Sequence, residues 1–181
     1  MAIGRRIRAP LAAGLAGLVA VVALSMAVGA PDVEGAPTKV IWVSPRAFVL
    51  GQNIAGGVLT MSSPSGNEQH VTTNKVGDLQ WVDLPLQLSN TIKIKRVITC
   101  YKLDAATSYI SQVRLASSTF PPTATVKYDD GADLLSTTGA CHYGMTVSPI
   151  PVNSEFTLSL RLNFGSTNEA IDLGAIGIVY Q

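Results

Sequence analysis

His70 and His142 are the only histidines in the chain, and imidazole is the side chain best suited to proton transfer near neutral pH. Neither sits in H-E-x-x-H, and no serine sits in G-x-S-x-G. A hydrolytic triad would need one of them beside a distant acid and a nucleophile. A small hydrolase is therefore kept only as an alternative, and the chain is read as non-enzymatic.

The densest set of potential metal ligands is Asp129, Asp130 and Asp133, in Asp129-Asp130-Gly131-Ala132-Asp133. Three carboxylates in five residues suit calcium, a hard ion that prefers oxygen. Their order departs from the D-x-D-x-D-G loop, and the plainer reading is a hairpin turn with Asp130-Gly131 at its tip. No cofactor other than this calcium candidate is implied. Trp42, Trp81, Tyr109 and Tyr143 are the rings that could stack on a sugar, which defines a carbohydrate-binding alternative. Against that, Trp42 in Val40-Ile41-Trp42-Val43 and Trp81 before Val82-Asp83-Leu84 look like strand residues feeding a core. Lys93, Lys95 and Arg96 form the one local basic cluster, expected as a solvated strand face or a lysine-protected edge.

Cys100 and Cys141 lie 41 positions apart, each within an expected strand. Outside the cytoplasm such a pair forms a disulfide, and a loop of this size stabilises by roughly 3–4 kcal/mol in the chain-entropy picture. Two buried thiols remain the alternative. A metal site is disfavoured because no C-x-x-C exists and Cys141 and His142, as strand neighbours, point to opposite faces.

The elements that must position these residues are strands. Phe156, Leu158, Leu160, Leu162 and Phe164 alternate with Glu155, Thr157, Ser159, Arg161 and Asn163, one dry face and one wet. Ile92, Ile94, Ile98 and Cys100 share a face interrupted by Arg96, and Tyr109 is placed with Val113 and Leu115. Residues 171–180 are apolar on both faces, as in the middle of a covered sheet. Shorter strands are expected at 40–43, 57–61, 79–84, 123–128 and 141–147. Turns are expected at 62–67, 88–90, 129–131 and 148–153. No stretch of ten or more residues after Lys39 carries a helical period. The expected fold is all-β, a two-sheet antiparallel sandwich of the jelly-roll kind.

Residues 1–30 read differently. Arg5, Arg6 and Arg8 precede an uncharged run, the order of a signal peptide or membrane anchor that meets the export machinery. Seven alanines and three glycines between Leu11 and Ala30 make the run weakly hydrophobic for a permanent span, and Ala27-Val28-Gly29 and Ser25-Met26-Ala27 offer cleavage sites. Residues 31–37 read as a linker and 38–181 as a single domain. The protein is expected to be secreted or extracytoplasmic, or else single-pass and anchored with the domain outside.

From Pro37 onward 10 basic residues face 10 acidic ones, which removes the basic surplus a nucleic-acid module would show. The stretch from Trp81 to Leu115 is similar in style to exported bacterial β-sandwich proteins of no assigned function, and it carries over no functional residue. The expectation is a non-catalytic binding or structural module with a glycan or protein partner, a coat or appendage subunit being a further alternative.

Overall fold

The computed structural model describes residues 38–51, 58–119 and 123–181. The segment read as signal or anchor, and its linker, lie outside them. Eleven strands are described: β1 (Lys39–Val43), β2 (Val49–Leu50), β3 (Leu59–Ser62), β4 (Gln69–Thr73), β5 (Gly77–Leu86), β6 (Lys93–Leu103), β7 (Tyr109–Thr119), β8 (Thr123–Asp130), β9 (Ala140–Pro151), β10 (Glu155–Phe164) and β11 (Ala170–Tyr180). One sheet has the order β3-β4-β11-β6-β9, with β1 beside the far half of β11; the other has β2-β5-β10-β7-β8. All pairings are antiparallel. From β4 to β11 the chain winds back and forth between the sheets, which is the jelly-roll arrangement.

The expected alternation explains the core. Phe156, Leu158, Leu160, Leu162 and Phe164 of β10 are buried, flanked by Val82, Leu84 and Leu86 of β5 and by Ile110, Val113 and Leu115 of β7. Facing them are Ile94, Val97, Tyr101, Leu103, Ile171, Leu173, Ile176 and Ile178. β11 is central, as its two apolar faces imply.

The structure departs from the sequence reading where a bulge changes the parity. In β6, Ile94 pairs with Ile150 and with Tyr180, while the next paired position is Arg96, opposite Met145 and Val179. Lys95 is skipped in both ladders. After this extra residue Val97, Tyr101 and Leu103 face the core, while Ile98 and Cys100 turn outward. The expected face of Ile92, Ile94, Ile98 and Cys100 is thus split. A second bulge skips Ser111, so Ile110 rather than Tyr109 joins Val113 in the core.

One strand lies outside the sequence reading, and two expected turns are corrected. Strand β4 escapes a pattern search because two of its three buried positions, Gln69 and Thr73, are polar. Residues 148–151 belong to β9, not to a turn; β9 lies at a sheet edge, where proline is tolerated. Asp129 and Asp130 end β8, and the chain crosses from there to β9 in the other sheet, so no hairpin forms at Asp130-Gly131.

Candidate functional site

The four candidate rings divide between two outer faces. Trp42 and Tyr143 lie on the outer face of the sheet containing β11, in one cross-strand row. Trp42 pairs with Gly177, Gly177 with Ile98, and Ile98 with Tyr143. Three strand spacings separate the two aromatic positions, about 14 Å. The neighbouring row is Val40, Val179, Arg96 and Met145. Trp42 and Tyr143 are each 57% exposed, Met145 is 65% exposed and Val40 42%. Trp42 is outward because its neighbours Ile41 and Val43 pack toward the core, so the expectation of a core-feeding tryptophan is overturned by strand parity.

Gly177 explains how the ring is seated. A Cβ there would lie 3.0 Å from Trp42 Cζ3 and 3.1 Å from Ile98 Cβ. The indole therefore overlies a position with no side chain, and Ile98, 5% exposed, forms the rest of a recessed floor. Sequence reading missed Gly177, although a glycine between Ile176 and Ile178 is a signal of close approach in a strand.

The next row on this face is the Cys100–Cys141 disulfide, joining directly paired residues of β6 and β9. Gly174 lies against Cys100. Beyond it His70 Nδ1 is 2.7 Å from Asp172 Oδ1.

The opposite face is built differently. Trp81 has the Arg114 and Arg161 guanidinium groups 5.1 and 5.8 Å from its ring centroid. Arg114 donates to both carboxylate oxygens of Asp129, at 3.0 and 3.3 Å, and Gln112 donates to the same side chain. Ser159 donates to Asp83 at 2.6 Å, and Arg161 Nε to Ser111 at 2.9 Å. Tyr109 accepts from Asn163 at 2.9 Å. Polar groups here satisfy one another across the strands, and the half-buried Trp81 ring is held among cations.

The acidic trio does not converge. Asp129 serves Arg114, Asp133 is exposed, and Asp130 turns to the gap between the sheets. No group of three or more His, Cys, Asp or Glu side chains is placed to hold a metal among the described residues. Asp130 instead accepts from Tyr128 Oη at 2.7 Å and the Ala132 amide at 3.0 Å, and lies 2.7 Å from His142 Nε2. Since β8 and β9 belong to different sheets, this trio latches one edge of the sandwich. Gly144 makes room for it, because a Cβ there would fall 2.0 Å from Tyr128 Oη. Both histidines thus meet carboxylates, and neither is hydrogen-bonded to a hydroxyl or thiol among the described residues.

The latch has a pH signature. Burial works to raise the Asp130 pKa, but hydrogen bonds from Tyr128, the Ala132 amide and His142, with the His142 charge, outweigh it and hold the carboxyl below its ordinary value. Tyr128 moves the other way: burial, its hydrogen bond to Asp130 and the nearby charges of Asp130 and Asp129 push the phenol above its usual value. A lowered carboxyl stabilises the fold above its unfolded-state titration, and that contribution disappears as pH falls through the folded value. A raised phenol stabilises below about pH 10, its unfolded-state pKa, and loses that contribution as pH rises through the folded value. Asp130→Asn is expected to weaken the acid dependence of the melting temperature and Tyr128→Phe the alkaline dependence. Melting curves with unaltered limbs would detach the latch from stability. Glu169, lowered by the Ser108 and Thr107 hydroxyls, leaves a residual acid limb.

No protein-family model matches this chain, and no curated protein matches its sequence. Among solved structures it is similar to the CBM36-1 domain of a multidomain xylanase from the hindgut metagenome of Trinervitermes trinervoides, at 8% identity and TM-score 0.49, covering 77% of this chain and 96% of that one. A carbohydrate-binding module CBM36 in complex with calcium and xylotriose matches at 10% identity and TM-score 0.47, covering 75% and 97%. A Stig cyclase, Fisc from Fischerella sp. TAU, matches at 9% identity and TM-score 0.46, covering 79% and 89%. Likeness at this level assigns neither a ligand nor an activity to the chain.

Proposed function

We propose that this chain is a non-catalytic recognition module that binds a glycan on the outer face carrying Trp42 and Tyr143. The observation that supports this reading is the row Trp42–Gly177–Ile98–Tyr143, two half-exposed rings flanking a recessed apolar floor. Sugars present flat C–H faces, and rings with a solvent-facing side receive them by stacking, at little entropic cost because a ring has few torsions. Clustered exposed apolar side chains of this kind mark interaction surfaces on soluble domains. Trp81 suits the role less well, because guanidinium groups already attend its ring. The disulfide supports placing the domain outside the cytoplasm, where such bonds persist. Residues 1–30 would then act as its signal peptide or anchor, a choice that the mass of the mature amino terminus decides.

The test is retention of the purified protein on cellulose, xylan, chitin and β-1,3-glucan, and in gels cast with soluble neutral and acidic polysaccharides. Trp42→Ala is expected to reduce affinity for the retained polymer about tenfold or more, as for a central aromatic contact. Trp81→Ala is expected to leave it nearly unchanged. Lack of retention on every polymer, or equal binding by Trp42→Ala, would remove the glycan reading. Concentration-dependent self-association that Trp42→Ala abolishes would favour the coat-subunit alternative.

A further inference from the structure

Lys95 and Arg96 occupy the bulge in β6. On a regular strand consecutive side chains point to opposite faces, so two adjacent cations would diverge. Here Lys95 is skipped by both neighbouring ladders while Ile94 and Val97, on either side of the pair, face the core, so Lys95 and Arg96 both fall on the outer side and line one depression. The bulge is held by the Thr146 hydroxyl, which donates to the Lys95 carbonyl at 2.9 Å. The depression has a volume of about 310 Å³, and Thr38, Thr146, Met145 and Val179 complete most of its wall. Among the described residues no carboxylate lines it. His70–Asp172, Arg114–Asp129 and His142–Asp130 are ion pairs among the described residues, and none of these includes Lys95 or Arg96.

Two like charges held side by side repel each other, and the arrangement is relieved by an anion between them. The wall adds the hydroxyl of Thr38, able to donate to oxygen, and an arginine fork matches carboxylate, sulfate or phosphate geometry. The depression also adjoins the aromatic platform. Arg96 and Met145 lie one row from Ile98 and Tyr143, about 7 Å along the strands.

We infer that the Lys95–Arg96 depression is an oxyanion subsite that receives the carboxylate or sulfate substituent of an acidic glycan lying on the Trp42–Tyr143 row. The glycan half of this inference rests on the function proposed above; the oxyanion half does not. Lys95 and Arg96 select the charged substituent, while Trp42 and Tyr143 hold the sugar body. The expected ligand is therefore an acidic polysaccharide.

Two measurements separate the halves. In the first, inorganic sulfate is titrated into the isotope-labelled protein and followed by amide chemical shifts. Saturable shifts are expected at Lys95, Arg96, Thr146 and Val179, and are expected to vanish in Lys95→Gln/Arg96→Gln, with the single Lys95→Gln variant as a milder check of the same site. Shifts absent there, or spread evenly over surface lysines, overturn the subsite. In the second, polygalacturonate is compared with its methyl ester. The acid form is expected to bind about tenfold or more tightly than the ester, in line with a charge-assisted hydrogen bond. That advantage should disappear in the double variant, and both polymers should be lost by Trp42→Ala. Sulfate shifts without binding of either polymer would overturn the glycan half alone. Equal binding of acid and ester, with the depression silent to sulfate, would overturn the oxyanion half alone. Retention by phosphatidylglycerol vesicles in place of the polymers would also overturn the glycan half and reassign the anion to a lipid headgroup.

Discussion

Leu160→Ala is expected to lower the unfolding free energy by about 2–5 kcal/mol, with the upper half of that range favoured by its surroundings. Leu160 is fully buried at the middle of β10, the central strand of its sheet. It pairs with Val82 on one side and Val113 on the other, both buried. The cost of such a truncation depends on how far neighbours relax into the space left behind. Here both flanking strands are tied to β10 by backbone ladders that keep regular register from Phe156 to Arg161, so the walls of the cavity cannot move inward without breaking hydrogen bonds. Urea denaturation should show a lower midpoint with an unchanged slope, since the surface exposed on unfolding stays the same. A loss below about 1 kcal/mol would mean that the two sheets close over the gap, and that the core is less tightly coupled to the ladders than argued.

The second large effect concerns the covalent link. Cys100→Ala/Cys141→Ala is expected to cost about 3–4 kcal/mol, the value that loop-closure entropy assigns to a link across 41 positions. Position strengthens the case. β9 is an edge strand with β6 as its only ladder partner among the described residues, and the bond ties it there at one end. The edge also carries Tyr143, two residues from Cys141. Loosening it is therefore expected to weaken glycan retention as well as stability. Denaturation with and without reductant measures the first effect. Polysaccharide retention of the reduced protein measures the second. A reduced protein as stable as the oxidised one would show that the β6 ladder and the Tyr128–Asp130–His142 latch secure this edge without the bond.

Much of the architecture is legible from residue order. The alternation in β10 identifies its core face residue by residue, and the two apolar faces of 171–180 place β11 in the sheet interior. Both signals are local, because a strand's side chains alternate whatever its neighbours are. Strand β4 is not legible, because its buried Gln69 and Thr73 are satisfied by hydrogen bonds to Ser62, Val58, Lys75 and Gln80 that only the fold assembles. The bulges are not legible either. Pairing with neighbouring strands shifts the parity at Lys95 and Ser111, and a single sequence contains no record of that pairing.

The candidate site divides along the same line. The ring inventory, the strand that holds each ring, the disulfide-capable cysteines, the basic cluster at Lys93, Lys95 and Arg96, and the all-β class can all be read along the chain, because composition and period-two patterning are local properties. Tertiary structure decided that Trp42 and Tyr143 share a row, while Trp81 is set among arginines on the opposite face. It also decided that Asp130 latches an edge away from Asp129 and Asp133, and that Lys95 and Arg96 line one depression. The physical reason is register. Which residues become neighbours across a sheet depends on where distant strands align, and one extra residue in a strand redirects every side chain that follows it.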